Sequence, residues 1–426
     1  MKASTWRRLA WLAGFGCLWL NVCDDPPLRT DAYLVDVTTD SATIGLVTAE
    51  PMRVQATVRD AVGKPVAEVA AGEPRRRHWF AVAGLAPGAT FDYQLAAEDG
   101  EQWNGRIRTA SPDERAPVTF AFLGDSGDQP WWVWLQRTPI LHWPARWGWF
   151  ADSPAVTGIG AALAERRLDF LVHLGDVIYP RGLHAHYRSG FFRPFAAVLR
   201  ETPVYAVLGN HDVMDCGGTQ IVANLRGPAP AYPGDGRNFS FARGPLRVIG
   251  LDCNTDYTGD RYDAQHPAQA FLAAELARCE EPWIVVASHF PMRSWSRQGN
   301  RGDLLLGLLP ELVEHRVALY LSGHDHCYQR FGEPGQAEPV LVVSGGGGKD
   351  LYDIKPAQPG PRAVATAKAY HWCSVEVRAG VLTLRSHGLD GALLDQFELA
   401  LPKGEALEQI RRVNPGRAAR IERLRG

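Results

Sequence analysis

The chain has 426 residues, room for about two to four domains at roughly 100 to 200 residues each. With 46% hydrophobic and 22% charged side chains, it is neither intrinsically disordered nor collagen-like nor a coiled coil. Its 45 basic and 47 acidic groups leave a formal charge of -2, which offers no broad cationic surface to a nucleic-acid backbone, so duplex binding is not expected.

At the N-terminus, Lys2, Arg7 and Arg8 precede a charge-free span from Leu9 to Cys23, followed by Asp24, Asp25, Pro26 and Pro27. This is the pattern of an export signal. The span is shorter than the roughly 20 residues that cross a bilayer as a helix. Residues 1–23 therefore read as a signal peptide or lipoprotein signal. The remainder is expected to be secreted: periplasmic, extracellular, or tethered to a membrane outside the cytoplasm. Cys23 offers the tether, but in Leu20-Asn21-Val22-Cys23 a Val stands where a lipoprotein signal has a small residue, so a plain signal and an uncleaved anchor stay open. Beyond Cys17 and Cys23, five cysteines remain: Cys216, Cys253, Cys279, Cys327 and Cys373. An odd number leaves at least one unpaired within the chain, and their spacing fits no zinc motif.

Between Tyr33 and about Ala110, short alternating runs such as Ala42–Thr48, Arg53–Arg59, Trp79–Leu85 and Phe91–Ala97 are separated by Gly, Pro and Asp. This predicts an antiparallel all-β sandwich over residues 31–112, and a resemblance implies the fibronectin III or immunoglobulin type. Leu85 to Tyr93 resembles the strand-entry signature of fibronectin type III-like domains, with Phe91 at the place of a corner tyrosine. The run Arg75-Arg76-Arg77 fits charges guarding an edge strand.

Past Pro117 the pattern changes to buried apolar strands alternating with helices: Val118–Leu123, a helix at Ile159–Arg167, Phe170–Leu174, Val204–Leu208, Val248–Leu251, Trp283–Ala287, Val317–Leu321 and Val340–Val343. A layered α/β domain over residues 113–400 follows. The tail, residues 401–426, holds seven basic and three acidic residues and predicts a solvated helix around Glu405–Arg412.

Nearly every predicted α/β strand runs into a polar cluster, and in open α/β sheets such clusters gather at the carboxyl ends of the strands. They are Gly124-Asp125-Ser126-Gly127, Gly175-Asp176-Val177-Ile178-Tyr179, Gly209-Asn210-His211-Asp212, Val286-Ala287-Ser288-His289 and Gly323-His324-Asp325-His326. Carboxylate, phenolate, amide oxygen and imidazole suit iron, manganese or zinc, and no cluster depends on sulfur.

In this order the set resembles the calcineurin-like metallophosphoesterase superfamily, specifically its purple acid phosphatase branch, over roughly residues 117–390. The resemblance implies a four-layer α/β sandwich, two mixed sheets flanked by helices, preceded by the β-sandwich. It implies that Asp125, Asp176, Tyr179 and His326 bind a first metal, and that Asp176, Asn210, His289 and His324 bind a second, with Asp176 bridging. The branch rests on Gly127, where the wider superfamily has His, and on Tyr179, three residues after Asp176. A phenolate favours a trivalent ion, so Fe3+ with Zn2+, Mn2+ or Fe2+ is expected.

Asp125, Asp176, an ionised Tyr179 and one bridging hydroxide would leave such a pair with a net positive charge, which attracts phosphate. The bridging hydroxide would attack a phosphate monoester. His211 is the expected phosphate contact and general acid, oriented by Asp212. The same metals could serve a phosphodiesterase or nucleotide hydrolase, and a non-catalytic adhesion protein is the alternative from another class.

His184 and His186 are candidates for lining the substrate pocket. The run Ser344–Gly348 could meet phosphate through its amides or be a tight connection. Residues 129–154 hold six of the 14 Trp, as an aromatic lid or as packing against the sandwich.

Overall fold

The computed structural model describes residues 28–127, 154–179, 182, 184–214, 216–255, 262–355, 360–378 and 380–425. The expected signal at residues 1–23, Cys23 and the six tryptophans between residues 129 and 154 lie outside them.

The N-terminal unit packs two antiparallel sheets. One contains β1 (Tyr33–Val37), β2 (Ser41–Met52) and β5 (Arg75–Ala83), in the order β1-β2-β5. The other contains β3 (Val54–Arg59), β4 (Pro65–Val69), β6 (Thr90–Ala97) and β7 (Gln102–Arg108), in the order β4-β3-β6-β7. Successive side chains on a strand point to opposite faces. That is why Val54, Ala56 and Val58 meet Phe91, Tyr93 and Leu95 in one core with Ile44, Leu46 and Phe80, while the residues between them face outward. The Arg75–Arg77 run opens β5, at one edge of its sheet.

All five residues of β1 are buried, because it is covered on both faces. Leu34 joins the sandwich core, while Tyr33 and Val35 join the core of the following domain. Polar bonds fix the seam. Tyr33 donates to the Asn224 carbonyl at 2.6 Å, Tyr93 to the Arg200 carbonyl at 3.0 Å, and Arg108 pairs with Glu201 at 2.6 Å.

The α/β domain holds two mixed sheets. The first contains β8 (Val118–Leu123), β9 (Phe170–His173), β10 (Val204–Ala206), β18 (His371–Arg378), β19 (Val381–Gly388) and β20 (Leu393–Ala400), in the order β10-β9-β8-β18-β19-β20. The second contains β11 (Phe239–Arg243), β12 (Leu246–Leu251), β13 (Trp283–Ser288), β14 (Leu319–Ser322), β15 (Tyr328–Phe331), β16 (Val340–Ser344) and β17 (Ala363–Ala367), in the order β11-β12-β13-β14-β16-β15-β17. Strands β8, β9 and β10 are mutually parallel, as are β12, β13, β14 and β16.

Phe120, Phe122 and Val172 of the first sheet share a core with Val285, Ala287 and Leu319 of the second. The helix Pro154–Ala164 buries Val156, Ile159 and Leu163 in the same cluster. The helix Pro267–Arg278 covers the other side of the second sheet, with Leu272 and Leu276 against Ile249, Ile284 and Val286. The layers are helix, sheet, sheet, helix, as expected.

The tail departs from expectation. Helices Glu405–Val413 and Pro415–Arg425 dock on the domain through Leu407, Ile410, Ala418 and Ile421. Arg417 is 2% exposed. Its guanidinium donates to the carbonyls of Glu281 at 3.0 Å, Pro282 at 3.0 Å and Arg316 at 3.2 Å, and to that of His315. The charge count suggested a solvated helix because it hid these apolar positions and the one arginine that saturates otherwise unpaired carbonyls.

Replacing Arg417 with Ala should orphan these acceptors and cost about 2 to 4 kcal/mol, read as a lower midpoint of thermal unfolding. Limited proteolysis should also cut the variant first within residues 401–425. Unchanged stability and protection would mean that the docking does not depend on Arg417.

Candidate metal centre

Five polar clusters lie where parallel strands end. Asp125 follows β8, Asp176 follows β9, Asn210 follows β10, His289 follows β13, and His324 and His326 follow β14. The chain turns sharply off each strand. Asp125, Asp176 and His324 have left-handed backbones, with φ of 60°, 49° and 67°, a strain of about 1 to 3 kcal/mol each that the surrounding structure must hold. Two glycines permit the approach. A Cβ on Gly209 would lie 2.1 Å from Asp176 Oδ1, and one on Gly323 would lie 2.5 Å from Asp125 Oδ2.

The structure brings the seven expected donors together in two overlapping groups. In the first, Tyr179 Oη lies 2.9 Å from Asp125 Oδ1, 2.8 Å from Asp176 Oδ2 and 3.2 Å from His326 Nε2. In the second, His289 Nε2 lies 3.1 Å from Asn210 Oδ1, 3.1 Å from His324 Nδ1 and 3.4 Å from Asp176 Oδ2. Asp176, His289 and His324 each offer an atom within 4.8 Å of the others. The rings are aimed from behind: His289 Nδ1 donates to the Leu174 carbonyl at 2.8 Å, and His326 Nδ1 to the Asp350 carbonyl at 2.7 Å. Each Nε2 is left with its lone pair facing the centre.

This arrangement fits a pair of cations better than it fits protons. A phenol has one proton, yet three lone-pair atoms crowd Tyr179 Oη. His289 has committed its Nδ1 proton to Leu174, yet its Nε2 faces three more lone-pair atoms. Burial, and then the Asp125 and Asp176 carboxylates, hold the Tyr179 hydroxyl well above the ordinary phenol range. Burial is the largest influence on His289 and opposes its charge, but the Asp176 and Asp125 carboxylates and the Leu174 carbonyl together outweigh it and lift the imidazole to about 9. A bound cation would invert this balance and favour the phenolate and the neutral imidazole.

His211 is half-buried, its ring 4.5 Å from that of Tyr179, and its amide donates to Asp176 Oδ1 at 2.8 Å. Asp212 has a place that sequence reasoning did not give it. Its buried carboxylate accepts from the amides of Gly209 at 2.9 Å and Val177 at 3.1 Å. It thereby ties the loop of Asn210 to the loop of Asp176.

His184 and His186, the candidates for lining the substrate pocket, are buried, at 5% and 2% exposed. His184 Nδ1 accepts from Asn224 Nδ2 at 3.0 Å, toward the seam with the sandwich. The glycine run is tied by its amides to the loops of the centre. Gly345 donates to the Cys327 carbonyl at 3.3 Å, Gly347 to that of Gly124 at 3.0 Å, and Lys349 to that of Asp125 at 3.1 Å.

Sequence reasoning missed three supports. Ser126 Oγ meets His173 Nε2 at 2.8 Å and donates to the Val177 carbonyl at 3.1 Å, directly behind Asp125. Tyr352 stacks on His326, with ring centroids 4.0 Å apart. The Lys349 ammonium lies 5.6 Å from the centre of the Tyr179 ring. Only Ser126, inside a motif, carried any signal. Among the cysteines, Cys216 is disulfide-bonded, while Cys253, Cys279, Cys327 and Cys373 are buried free thiols.

Residues 118–328 match the family model for calcineurin-like phosphoesterases. The chain is 28% identical over 245 residues to purple acid phosphatase 17 of Arabidopsis thaliana, a match covering 52% of this chain and 71% of that protein. It is 29% identical over 226 residues to tartrate-resistant acid phosphatase type 5 of Sus scrofa, covering 45% of this chain and 66% of that protein. The structure of a purple acid phosphatase from seeds of yellow lupin, Lupinus luteus, superposes with a TM-score of 0.69 at 16% identity, over 87% of this chain and 74% of that one, a likeness of fold. Residues 118–328 thus form a calcineurin-like phosphoesterase domain, behind a β-sandwich, in a hydrolase similar to the purple acid phosphatases.

Proposed function

We propose that this chain is an exported, binuclear metal-dependent hydrolase of phosphate monoesters. The observation that carries the reading is the convergence of seven oxygen and nitrogen donors into two sets that share Asp176. Asp125, Asp176, Tyr179 and His326 hold the first metal, a ferric ion. Asp176, Asn210, His289 and His324 hold the second, which is zinc, manganese or ferrous iron. Such a pair supplies Lewis acidity toward phosphoryl oxygens and a water whose pKa falls from 15.7 to about 7.

The protein's own groups do the rest. Tyr179 gives up its Oη proton on metal uptake, so metal affinity falls as pH falls. His211, beside the Tyr179 ring and partly open to solvent, reaches the phosphoryl group through its imidazole and protonates the leaving oxygen. Asp212 acts through backbone, as the positioning residue that keeps Asp176 and Asn210 at one centre.

The direct test combines metal analysis, the visible spectrum and kcat/KM on p-nitrophenyl phosphate and its bis ester. The wild type should contain iron, absorb visible light through the phenolate, and prefer the monoester. Tyr179→Phe should lose the band and its iron. Preference for the bis ester would make the chain a phosphodiesterase, and a fully metallated protein without turnover would make it a binding module.

The two neighbours of Asn210 should separate cleanly. His211→Ala should lower kcat by about 100-fold or more while both metals stay bound. Asp212→Asn should instead weaken metal retention by about 10- to 100-fold, measured by dialysis against a chelator. A variant of Asp212 that keeps its metals but loses kcat would return that residue to the role of orienting His211.

A further inference from the structure

The outer face of the six-stranded sheet carries a cleft of about 420 Å³, away from the metal centre. Thr119, near the start of β8, lines it. Asp125 lies six residues further on, about 20 Å away at the rise of a strand. The floor is made of alternate side chains of β18 and β19, among them Trp372, Ser374, Arg385 and His387. Their neighbours Cys373, Val375, Leu382 and Leu384 point the other way, into the core. Arg166 and Arg167 overhang it from the turn after the helix Pro154–Ala164.

Three guanidinium groups thus face one carboxylate, Glu376, and that carboxylate already accepts from Arg378 Nε at 2.8 Å. Arg385 Nε donates to a neutral oxygen, Gln396 Oε1, at 3.0 Å. The Arg166 guanidinium sits over the Trp372 ring, 5.5 Å from its centroid. Among the described residues, neither Arg166 nor Arg167 has an ion pair or a side-chain hydrogen bond. The positive field is felt by His387, whose pKa is pushed down by burial and then by Arg166 and Arg385.

Basic residues after a helix ordinarily complement its dipole. That role explains neither Arg385, which comes from a strand, nor the concave shape the three arginines share. The chemistry selects the ligand. Planar guanidinium forks match phosphoryl oxygens in pairs, and the Thr119 hydroxyl adds a neutral donor, while that of Ser374 is paired with His387 Nε2 at 2.8 Å. Trp372 is 3% exposed and stacked on His387 with centroids 4.3 Å apart, so no open ring remains for a nucleobase.

We propose that this cleft is a second anion site, which binds a ligand carrying at least two negative charges on phosphoryl oxygens, independently of the metal centre.

The test is calorimetric titration of the metal-loaded full chain with methylenediphosphonate, which cannot be hydrolysed, at low salt. The wild type should bind one equivalent more than the triple variant Arg166→Gln, Arg167→Gln, Arg385→Gln. The variant should keep the wild-type kcat/KM on p-nitrophenyl phosphate and the wild-type unfolding midpoint. The additional equivalent should weaken steeply as salt is raised. If the metal centre takes no diphosphonate, the wild type should bind one equivalent and the variant none, so failure of the proposed function leaves this proposal standing. Equal stoichiometry and affinity in the two proteins would overturn it.

Discussion

Two buried carboxylates on either side of one phenol oxygen set the terms for the whole molecule. Asp125 and Asp176 are 0% and 1% exposed. Among the described residues, their ion-pair partners are the imidazoles of His326 and His289, not a Lys or Arg. Taking such charges out of water costs several kcal/mol each unless nearby charge offsets it. Protonated histidines offset it only by losing the lone pairs that the geometry points inward. Bound cations would resolve the conflict for every donor at once. The strained corners at Asp125, Asp176 and His324 belong to the same account: the strain is spent where short side chains must reach a shared point.

Around that centre, backbone groups aim several of the donors. The carbonyls of Leu174 and Asp350 aim two imidazoles. Asp212 joins two loops through their amides, and the Ser126–His173 pair joins the first loop to the second. The β-sandwich belongs to this frame. Tyr205 in β10 donates to the buried Asp36 of β1 at 2.5 Å. The Asn224 carbonyl, in the helix Thr219–Leu225, accepts from Tyr33, while its side chain meets Arg77 and His184. The sandwich therefore braces the strand and helix that flank the Asn210 loop.

Legibility followed burial. Val118–Leu123 was readable to the residue, because a central strand covered on both faces is a continuous apolar run. The strands ahead of the polar clusters were readable for the same reason. By contrast, β18 to β20 are antiparallel, with one face partly open, and their apolar residues alternate with Ser, Glu and Arg. Nothing ties such a pattern to a particular sheet. The helix expected at Ile159–Arg167 runs from Pro154 to Ala164, since a proline suits a first helical turn and the arginines lie past its end. The donors were legible because each side chain sits beside a strand end in sequence as well as in space. The amide partners of Asp212 and the burial of His184 were not, because they depend on which loops become neighbours after folding.

Anomalous diffraction from crystals of the metal-loaded protein, recorded on both sides of the iron edge, tests the central claim most directly. Two peaks about 3.5 to 4 Å apart, with Asp176 between them and iron at the peak beside Tyr179, are what this account predicts. A single peak, or none, with Tyr179 turned away from Asp125 and Asp176, would contradict it.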